Sequence, residues 1–474
     1  MRFLLPNHPT LKCIDRFDLV SSDDLQVPFW ATLSALLSHT ITSTSDLIDQ
    51  LESISLTLRG ASNADYGFLK EFFEECWPST EQFFERVWPA AVKLALEMPR
   101  LFPEGAIECL SEKNPELKFS RRQVACLVVH QFLCSLPSQP WTSDSSVDFH
   151  IWFSSGQSCP RAVEAYLHAL FTHFERLVDG DDGKSPSALL ACSVTEWPIT
   201  FSLRSLPESE IHLNDFYGNK FLPLKVTRLP EASTDPCVLG LLGGACVISA
   251  NKNVGFGSSG TQEETHVGSS PEACPVVLMT PTLKDTQVLV LVGAEAMISM
   301  TGYGRGARLD KVLESDYDYH STARSIWPRR TMLFMDALEL DIFDAEDHVP
   351  DLLPGHVKRE LRKAYTAFSS SPHECEGYAE IFTGLWGCGA FGGDWQIKTI
   401  IQWCAAAMSG VTLHFVCAGD QQQAFATSLD EFTRFGLDSG WVVGDVPKTL
   451  LALEPSSSDA KNTFAHIKSA LNSH

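Results

Sequence analysis

In the first part of the chain, apolar residues recur every three or four positions. This spacing predicts helices over Val27 to Leu37 (VPFWATLSALL) and Tyr66 to Met98. Inside the second, Pro78-Ser79-Thr80-Glu81 reads as a break and restart, with Ser79 or Thr80 as the cap. Further helices are expected over Arg121 to Leu136 (RRQVACLVVHQFLCSL) and near 160–178, separated by a Ser/Pro-rich loop at 137–147. Asp179 to Pro186 (DGDDGKSP) is acidic, carries Gly and Pro, and has no periodicity. It marks a boundary between a mainly helical region, 1–185, and a second region, 186–474.

Past that boundary the texture changes. Pro275 to Thr280 (PVVLMT), Thr286 to Gly293 (TQVLVLVG), Thr331 to Met335 (TMLFM) and Val411 to Cys417 (VTLHFVC) read as strands. They alternate with helical segments at about 356–368, 393–408 and 421–435. Near-continuous apolar strands among amphipathic helices predict an α/β sheet covered on both faces. The tail from Glu454 is expected to form a loop and one short terminal helix.

Composition narrows the function classes. With 474 residues, 44% of them hydrophobic, and 29 Phe, the chain can bury a large core, which excludes a largely disordered protein. Asp plus Glu number 59 against 36 Lys plus Arg, a net charge of −23. That argues against direct DNA binding, because affinity for phosphate backbones comes from basic patches. It leaves room for a small phosphate-bearing ligand held by backbone amides. The 14 Cys form no C-x-x-C pair and the 15 His no H-E-x-x-H, so no metal and no redox cofactor is expected. Neither a signal-like N-terminus nor a bilayer-length apolar run is present, so the expected location is intracellular, in nucleus or cytoplasm, with no membrane contact.

Three Gly-rich loops carry the candidate chemistry: Gly255-Phe256-Gly257-Ser258-Ser259-Gly260, Thr301-Gly302-Tyr303-Gly304-Arg305-Gly306, and Gly387-Cys388-Gly389-Ala390-Phe391-Gly392-Gly393. Glycine permits close backbone approach to a ligand, and a helix opening after such a loop offers unpaired N–H groups to a phosphate. Two of the loops fit G-x-G-x-x-G, which raises a nicotinamide oxidoreductase as a rival. That motif needs an acid about twenty residues on for the ribose. Ala405 to Ser409 stand at that distance after Gly387, and after Gly255 the nearest candidate is Glu272. A Walker loop fails as well, since Gly183-Lys184-Ser185 has Val178 in place of the leading Gly. The first loop runs into Gln262-Glu263-Glu264. Adjacent carboxylates repel, so a buried pair should have one member with a raised pKa, suited to acid catalysis at a glycosidic oxygen. A solvated helix start accounts for the same residues about equally well.

A glycine-rich turn a few residues before QEE resembles the signature of the poly(ADP-ribose) glycohydrolase family. The resemblance extends to Ala250-Asn251, Thr301-Gly302-Tyr303, Met335-Asp336-Ala337-Leu338, Arg359 to Tyr365 (RELRKAY), Trp386 to Asp394 (WGCGAFGGD), and upstream to Gln123–Leu136 and Asp148–Phe153. It implies a macrodomain-like three-layer α/β/α fold with a mixed sheet and a helical N-terminal accessory region. The implied activity is cleavage of ribose–ribose bonds in poly(ADP-ribose), releasing ADP-ribose. Glu264 would be the general acid/base and Glu263 would bind ribose hydroxyls, with Asn251, Gly255, Phe256, Gly257 and Gln262 as further contacts. Tyr303 and Phe391 would flank ADP-ribose, and the amides of Gly387, Cys388, Gly389, Ala390 and Phe391 would cradle its diphosphate.

The chain departs from the family pattern at several positions. Phe256 replaces a glycine, Ile248 an acid, Leu385 an Asn, and Ala418 an aromatic expected against adenine. Ile248, Leu385 and Ala418 motivate an alternative, an ADP-ribose-binding module with weak or no turnover. Because the polymer is itself a polyanion, the net charge of −23 predicts local recognition at a chain end.

Overall fold

The computed structural model describes residues 1–20, 25–60, 65–78, 80–141, 146–178, 198–207, 213–216, 218–241, 243–313, 327–343, 348–369, 378–457 and 459–472. The expected boundary at Asp179–Pro186, the 185/186 division, the Gly183-Lys184-Ser185 triplet and Ser79 lie outside the described residues. The chain forms two compact units that interleave in sequence. The first is Met1–Phe201, Gly255–Thr282 and Gly293–Pro328; the second is Ser202–Val254, Leu283–Val292 and Arg329–His474.

Most of the first unit is helical. Its principal helices are α1 (Phe29–Leu37), α2 (Thr44–Arg59), α3 (Trp88–Ala95), α4 (Arg121–Phe132), α5 (Pro160–Glu175) and the short α6 (Gln262–Gly268). Ser120 and Gln123 close a capping box at the start of α4, which satisfies two otherwise unpaired groups of the first turn. The helix ends four residues before the expected Leu136, ahead of Cys134 at φ 52.

The 66–98 stretch is more broken than its periodicity suggests. Trp77 N–H donates to Phe72 O five residues back at 2.9 Å, and Trp88 N–H likewise caps a wide turn over Phe83–Val87. The first wide turn brings Phe72 and Phe73, and the second brings Phe83, onto Phe171, with ring centroids 4.9 to 5.4 Å apart. Packing of four bulky rings thus overrides regular helix geometry. The Thr80 hydroxyl donates to Phe73 O at 3.1 Å, tying the restart to the preceding segment.

The expected strand over Pro275 to Thr280 is corrected: Pro271–Leu278 is a tight helical turn, buried throughout. Pro275 cannot donate to a strand ladder, and its ring holds φ near the helical value. Total burial made this run apolar, so periodicity could not separate strand from turn. Glu272 on the turn, fully buried, accepts Arg121 Nη1 at 2.6 Å and the Glu295 N–H at 2.8 Å. The acid considered for a dinucleotide ribose is therefore committed to a buried ion pair.

The second unit is built on a sheet of β1 (Ile199–Ser205, whose first three residues count with the first unit), β2 (Leu224–Leu229), β3 (Gly244–Ala250), β4 (Gln287–Val292), β5 (Thr331–Asp336), β6 (Glu380–Thr383) and β7 (Thr412–Ala418). Their order is β1-β4-β5-β3-β6-β7-β2. β5, β3, β6, β7 and β2 are parallel along that order, while β4 runs antiparallel to β5. Residues of β4, β5 and most of β3 are buried in succession, whereas β7 alternates. Continuous burial means that the central strands are covered on both sides. α7 (His356–Phe368), α8 (Trp395–Ser409) and α9 (Asp420–Asp438) supply much of that cover through Leu361, Phe368, Ile397, Trp403 and Phe432. These three helices lie close to where their spacing predicts them, and Thr463–Asn472 is the expected terminal helix. β1, β2, β3 and β6 are additions to the sequence reading; β6 spans only four residues, and β1 and β2 are interrupted by Arg204 and by Lys225 and Arg228.

Candidate functional site

In the first unit the QEE triplet opens α6. Thr261 is the N-cap, and Thr261 and Glu264 form a reciprocal capping box. The Glu264 carboxylate accepts the Thr261 hydroxyl at 2.9 Å and is also bonded by the Ser259 hydroxyl. It sits against Gly257, where a Cβ would overlap Glu264 Oε1. Glycine at 257 is thus required by the acid itself. Glu263 is buried, and its Oε1 accepts the Gly255 N–H at 2.8 Å, closing the loop eight residues back. Among the described residues, the amides of Phe256, Gly257, Ser258, Ser259 and Gly260 have no protein acceptor. Consecutive unpaired N–H groups beside a helix start form a concave anion receptor.

Two aromatic residues of the helical region hold this loop from outside. Trp152 Nε1 donates to Gly257 O at 2.7 Å, and the Tyr166 hydroxyl donates to Ser259 O at 2.5 Å. Phe256 packs on Phe149 and Trp152 at 5.1 and 5.3 Å, and those two rings stack at 4.5 Å. Its side chain therefore belongs to the core, leaving its amide for a ligand. The second Gly-rich loop is tied to the first by Gly304 N–H donating to Gly260 O at 2.8 Å. Tyr303 is 53% exposed on that turn. Desolvation of its hydroxyl and then the Glu264 charge hold the phenol above its usual pKa, and the same two causes raise Tyr166. Glu264, Tyr303 and Tyr166 thus share one electrostatic neighbourhood. Gln262 begins α6, where its carbonyl meets His266 Nδ1 at 2.8 Å.

In the second unit, the remaining expected residues gather at the carboxyl ends of parallel β5, β3 and β6, the usual ligand edge of such sheets. Asn251 follows β3 and accepts the Asn253 N–H at 2.9 Å. The third loop follows β6 and is anchored on the same edge. Gly387 N–H donates to Ser249 Oγ at 3.3 Å, and Trp386 Nε1 to Met335 O at 3.0 Å. Gly387 has φ +73, and a Cβ there would lie 2.5 Å from Ala337 Cβ, so only glycine fits. Cys388 N–H is spent on Leu385 O, and Phe391 O accepts from Leu340 N–H. Among the described residues, the amides of Gly389, Ala390 and Phe391 remain without a protein acceptor. The expected five-amide cradle therefore reduces to these three.

Beneath that loop lies a charge cluster. Arg359 and Lys363 pair with Asp336, Lys363 Nζ at 2.6 Å. Lys398 on α8, fully buried, pairs with Glu360 and lies 3.6 Å from Asp351. The four-residue rhythm of 359–363 was the available signal: Arg359 and Lys363 share one helix face, against an acid at the end of β5. Among the described residues, no group of His, Cys, Asp and Glu is placed to hold a metal ion, and no helix is long and apolar enough to cross a membrane.

Two models of one family match this chain. The poly(ADP-ribose) glycohydrolase helical-domain model covers residues 76–193, and the family's macro-domain-fold model covers 242–425. The chain belongs to the poly(ADP-ribose) glycohydrolase family.

Its macrodomain fold and helical N-terminal part are those of the family. Poly(ADP-ribose) glycohydrolase 1 of Caenorhabditis elegans is 27% identical over 316 residues, covering 64% of this chain and 36% of that relative. Poly(ADP-ribose) glycohydrolase 2 of the same organism is 29% identical over 183 residues, covering 37% of each. Poly(ADP-ribose) glycohydrolase 1 of Arabidopsis thaliana is 25% identical over 265 residues, 43% of this chain and 47% of the relative. The matches thus span less than half the length of these relatives. A solved poly(ADP-ribose) glycohydrolase mutant from Deinococcus radiodurans, in complex with ADP-ribose, matches 48% of this chain and 93% of its own at 13% identity and TM-score 0.29.

The departures from the family pattern each have a structural place. Ile248 is fully buried within β3, Leu385 packs on the core of the second unit, and Ala418 ends β7 with its amide held by Gln422 Oε1 at 2.9 Å. Trp152, Tyr166 and Lys398 support the family loops through contacts distant along the chain, which no local pattern reveals, whereas Ser259 and Thr261 bond Glu264 from within five residues.

Proposed function

We propose that the chain is a glycoside hydrolase that cleaves the ribose–ribose O-glycosidic bonds of poly(ADP-ribose) and releases ADP-ribose, with Glu264 as general acid/base. The observation that carries this reading is the Glu264 carboxylate, set at the start of α6 beside a run of unpaired amides. A polarised carboxyl there can protonate the leaving ribose oxygen. As a carboxylate it can then take a proton from the water that attacks the anomeric carbon. Ser259 and Thr261 hold it in one rotamer, and positioning of this kind supplies much of a catalytic advantage. Glu263 keeps the loop closed through Gly255 and is the group assigned to ribose hydroxyls. Tyr303, exposed on its turn, is assigned a face of the sugar or base. In the second unit, the amides of Gly389, Ala390 and Phe391 are assigned to the diphosphate, with Asn251 at the same sheet edge.

The second reading is a binding module with little turnover, favoured by the replacements at Ile248, Leu385 and Ala418. A single assay separates the two readings. Labelled polymer is incubated with the wild type and with Glu264→Gln, and free ADP-ribose is followed by chromatography. Release by the wild type that falls about 10²–10⁴-fold in the variant supports hydrolysis through Glu264. Tight binding of polymer without release by the wild type supports the module.

A further inference from the structure

Under the third Gly-rich loop, Lys398 is fully buried and the loop lies directly on it. A Cβ at Gly387 would lie 3.3 Å from Lys398 Nζ, and one at Gly393 would lie 2.6 Å from its Cε, while Gly393 N–H donates to Gly387 O at 2.9 Å. The two ends of the loop are thus pinned over one ammonium group, which also stands 5.0 Å from the Trp386 ring centroid. Glu360 on α7 pairs with Lys398 from one side while receiving Arg359 Nη1 at 2.7 Å and the Leu338 N–H at 3.1 Å. Asp351 stands on the other side, 2% exposed. Its Oδ2 accepts the Asp394 N–H at 2.8 Å, and Asp394 in turn caps α8 through Gln396 and Ile397. Its Oδ1 reaches Lys398 only at 3.6 Å, and no hydrogen-bond donor among the described residues serves it.

We propose that Lys398 and Asp351 are positioning residues for the diphosphate, so that anion binding on the free amides above is coupled to uptake of one proton at Asp351. This deepens the functional reading above and rests on it. Glu360, already neutralised by Arg359, is the firm partner of Lys398, and Asp351 is the loosely held one. A diphosphate on Gly389, Ala390 and Phe391 adds negative charge above the cluster, and the cheapest relief is to protonate the carboxylate that lacks a full set of donors. Burial pushes the Asp351 carboxyl up to about 6, against the pull of Lys398, which places its titration within reach of neutral pH. The charged and titratable groups facing the pair are Glu360 and Arg359 from α7, Asp394 and Cys388 from the loop, and His356, whose Nδ1 meets Pro350 O at 2.8 Å. By reciprocity, a ligand that raises the proton affinity of Asp351 must itself bind more tightly when Asp351 is protonated.

The test is calorimetric titration of ADP-ribose into the full chain at about pH 5.5, 6.5 and 7.5, each in two buffers of different ionisation heat. The diphosphate diester carries no group that titrates in this window, so any proton uptake is the protein's. Wild type is expected to take up a fraction of a proton near pH 6.5 and to bind about three- to tenfold more tightly at the lowest pH than at the highest. Asp351→Asn keeps an acceptor for the Asp394 N–H and is neutral throughout. It should show no uptake and a flat affinity equal to that of the acid-form wild type. Thermal melts establish that the variant is folded, and the wild-type proton count stands even if it is not. Binding by the wild type with no proton uptake at any of the three pH values overturns this inference alone, as does uptake that persists unchanged in Asp351→Asn. Absence of any ADP-ribose binding overturns the functional reading and this inference with it.

Discussion

Phe256 stands where the family has a glycine, in a loop whose other glycines serve a close approach, and its ring fills a slot between Phe149 and Trp152. Restoring the family residue should therefore harm the protein. Phe256→Gly empties an aromatic site that is 8% exposed and is expected to cost about 3–5 kcal/mol, measured as the shift in denaturant midpoint. A change below about 1 kcal/mol would mean that the ring is not part of the core. The neighbouring Gly257 shows the opposite logic, since the Glu264 carboxylate occupies the space a side chain would need. Sequence reading identified both residues as loop members. It could not tell that one is there for its bulk and the other for its absence of a side chain, because Phe149, Trp152 and Glu264 converge on them only in the folded chain.

At the scale of elements, α4, α7 and α8 lie close to where their spacing predicts them, α4 ending four residues early, whereas the Pro271–Leu278 turn, buried throughout and carrying Pro275, reads as a strand in sequence. Complete burial also gives α4 and α5 an acid sensitivity. His130 and His173 are fully buried, and desolvation lowers them to about 4 and about 3. For a base whose folded pKa is depressed, the unfolded chain binds the proton first, so stability is lost as pH falls below about 6.5. His173 has no hydrogen-bond partner on either ring nitrogen among the described residues. At pH 5 it should cost the fold about 2 kcal/mol relative to neutral pH. His173→Leu is expected to remove that loss, read as a smaller drop in unfolding midpoint between about pH 7 and pH 5. An equal drop in variant and wild type would exclude His173 as its source.

For the whole molecule, the net charge of −23 sets the sign of a salt effect. Most proteins that bind polyanions lose affinity as salt rises, because they do so by releasing counterions from basic patches. Under the function proposed above, like charges would repel at long range, and the attraction would come from amides acting at contact. Raising ionic strength from about 10 to 150 mM shortens the screening length several-fold. It should increase kcat/KM on long polymer, with little effect on binding of free ADP-ribose. A steep fall of kcat/KM with salt would reveal a basic docking surface that the charge balance does not suggest.

The chain by itself specified the loops, the QEE acid pair and the amphipathic helices, because these depend on residue types at short spacing: glycines that allow close approach, carboxylates at a helix start, apolar stripes. Tertiary structure decided which amides stay free, which acid is committed to an ion pair, and which aromatic ring is core. Glu272 became a partner of Arg121 and Lys398 a floor for the third loop. Those outcomes depend on pairings between residues far apart in sequence and on the loss of water around them, and neither is encoded in any local window.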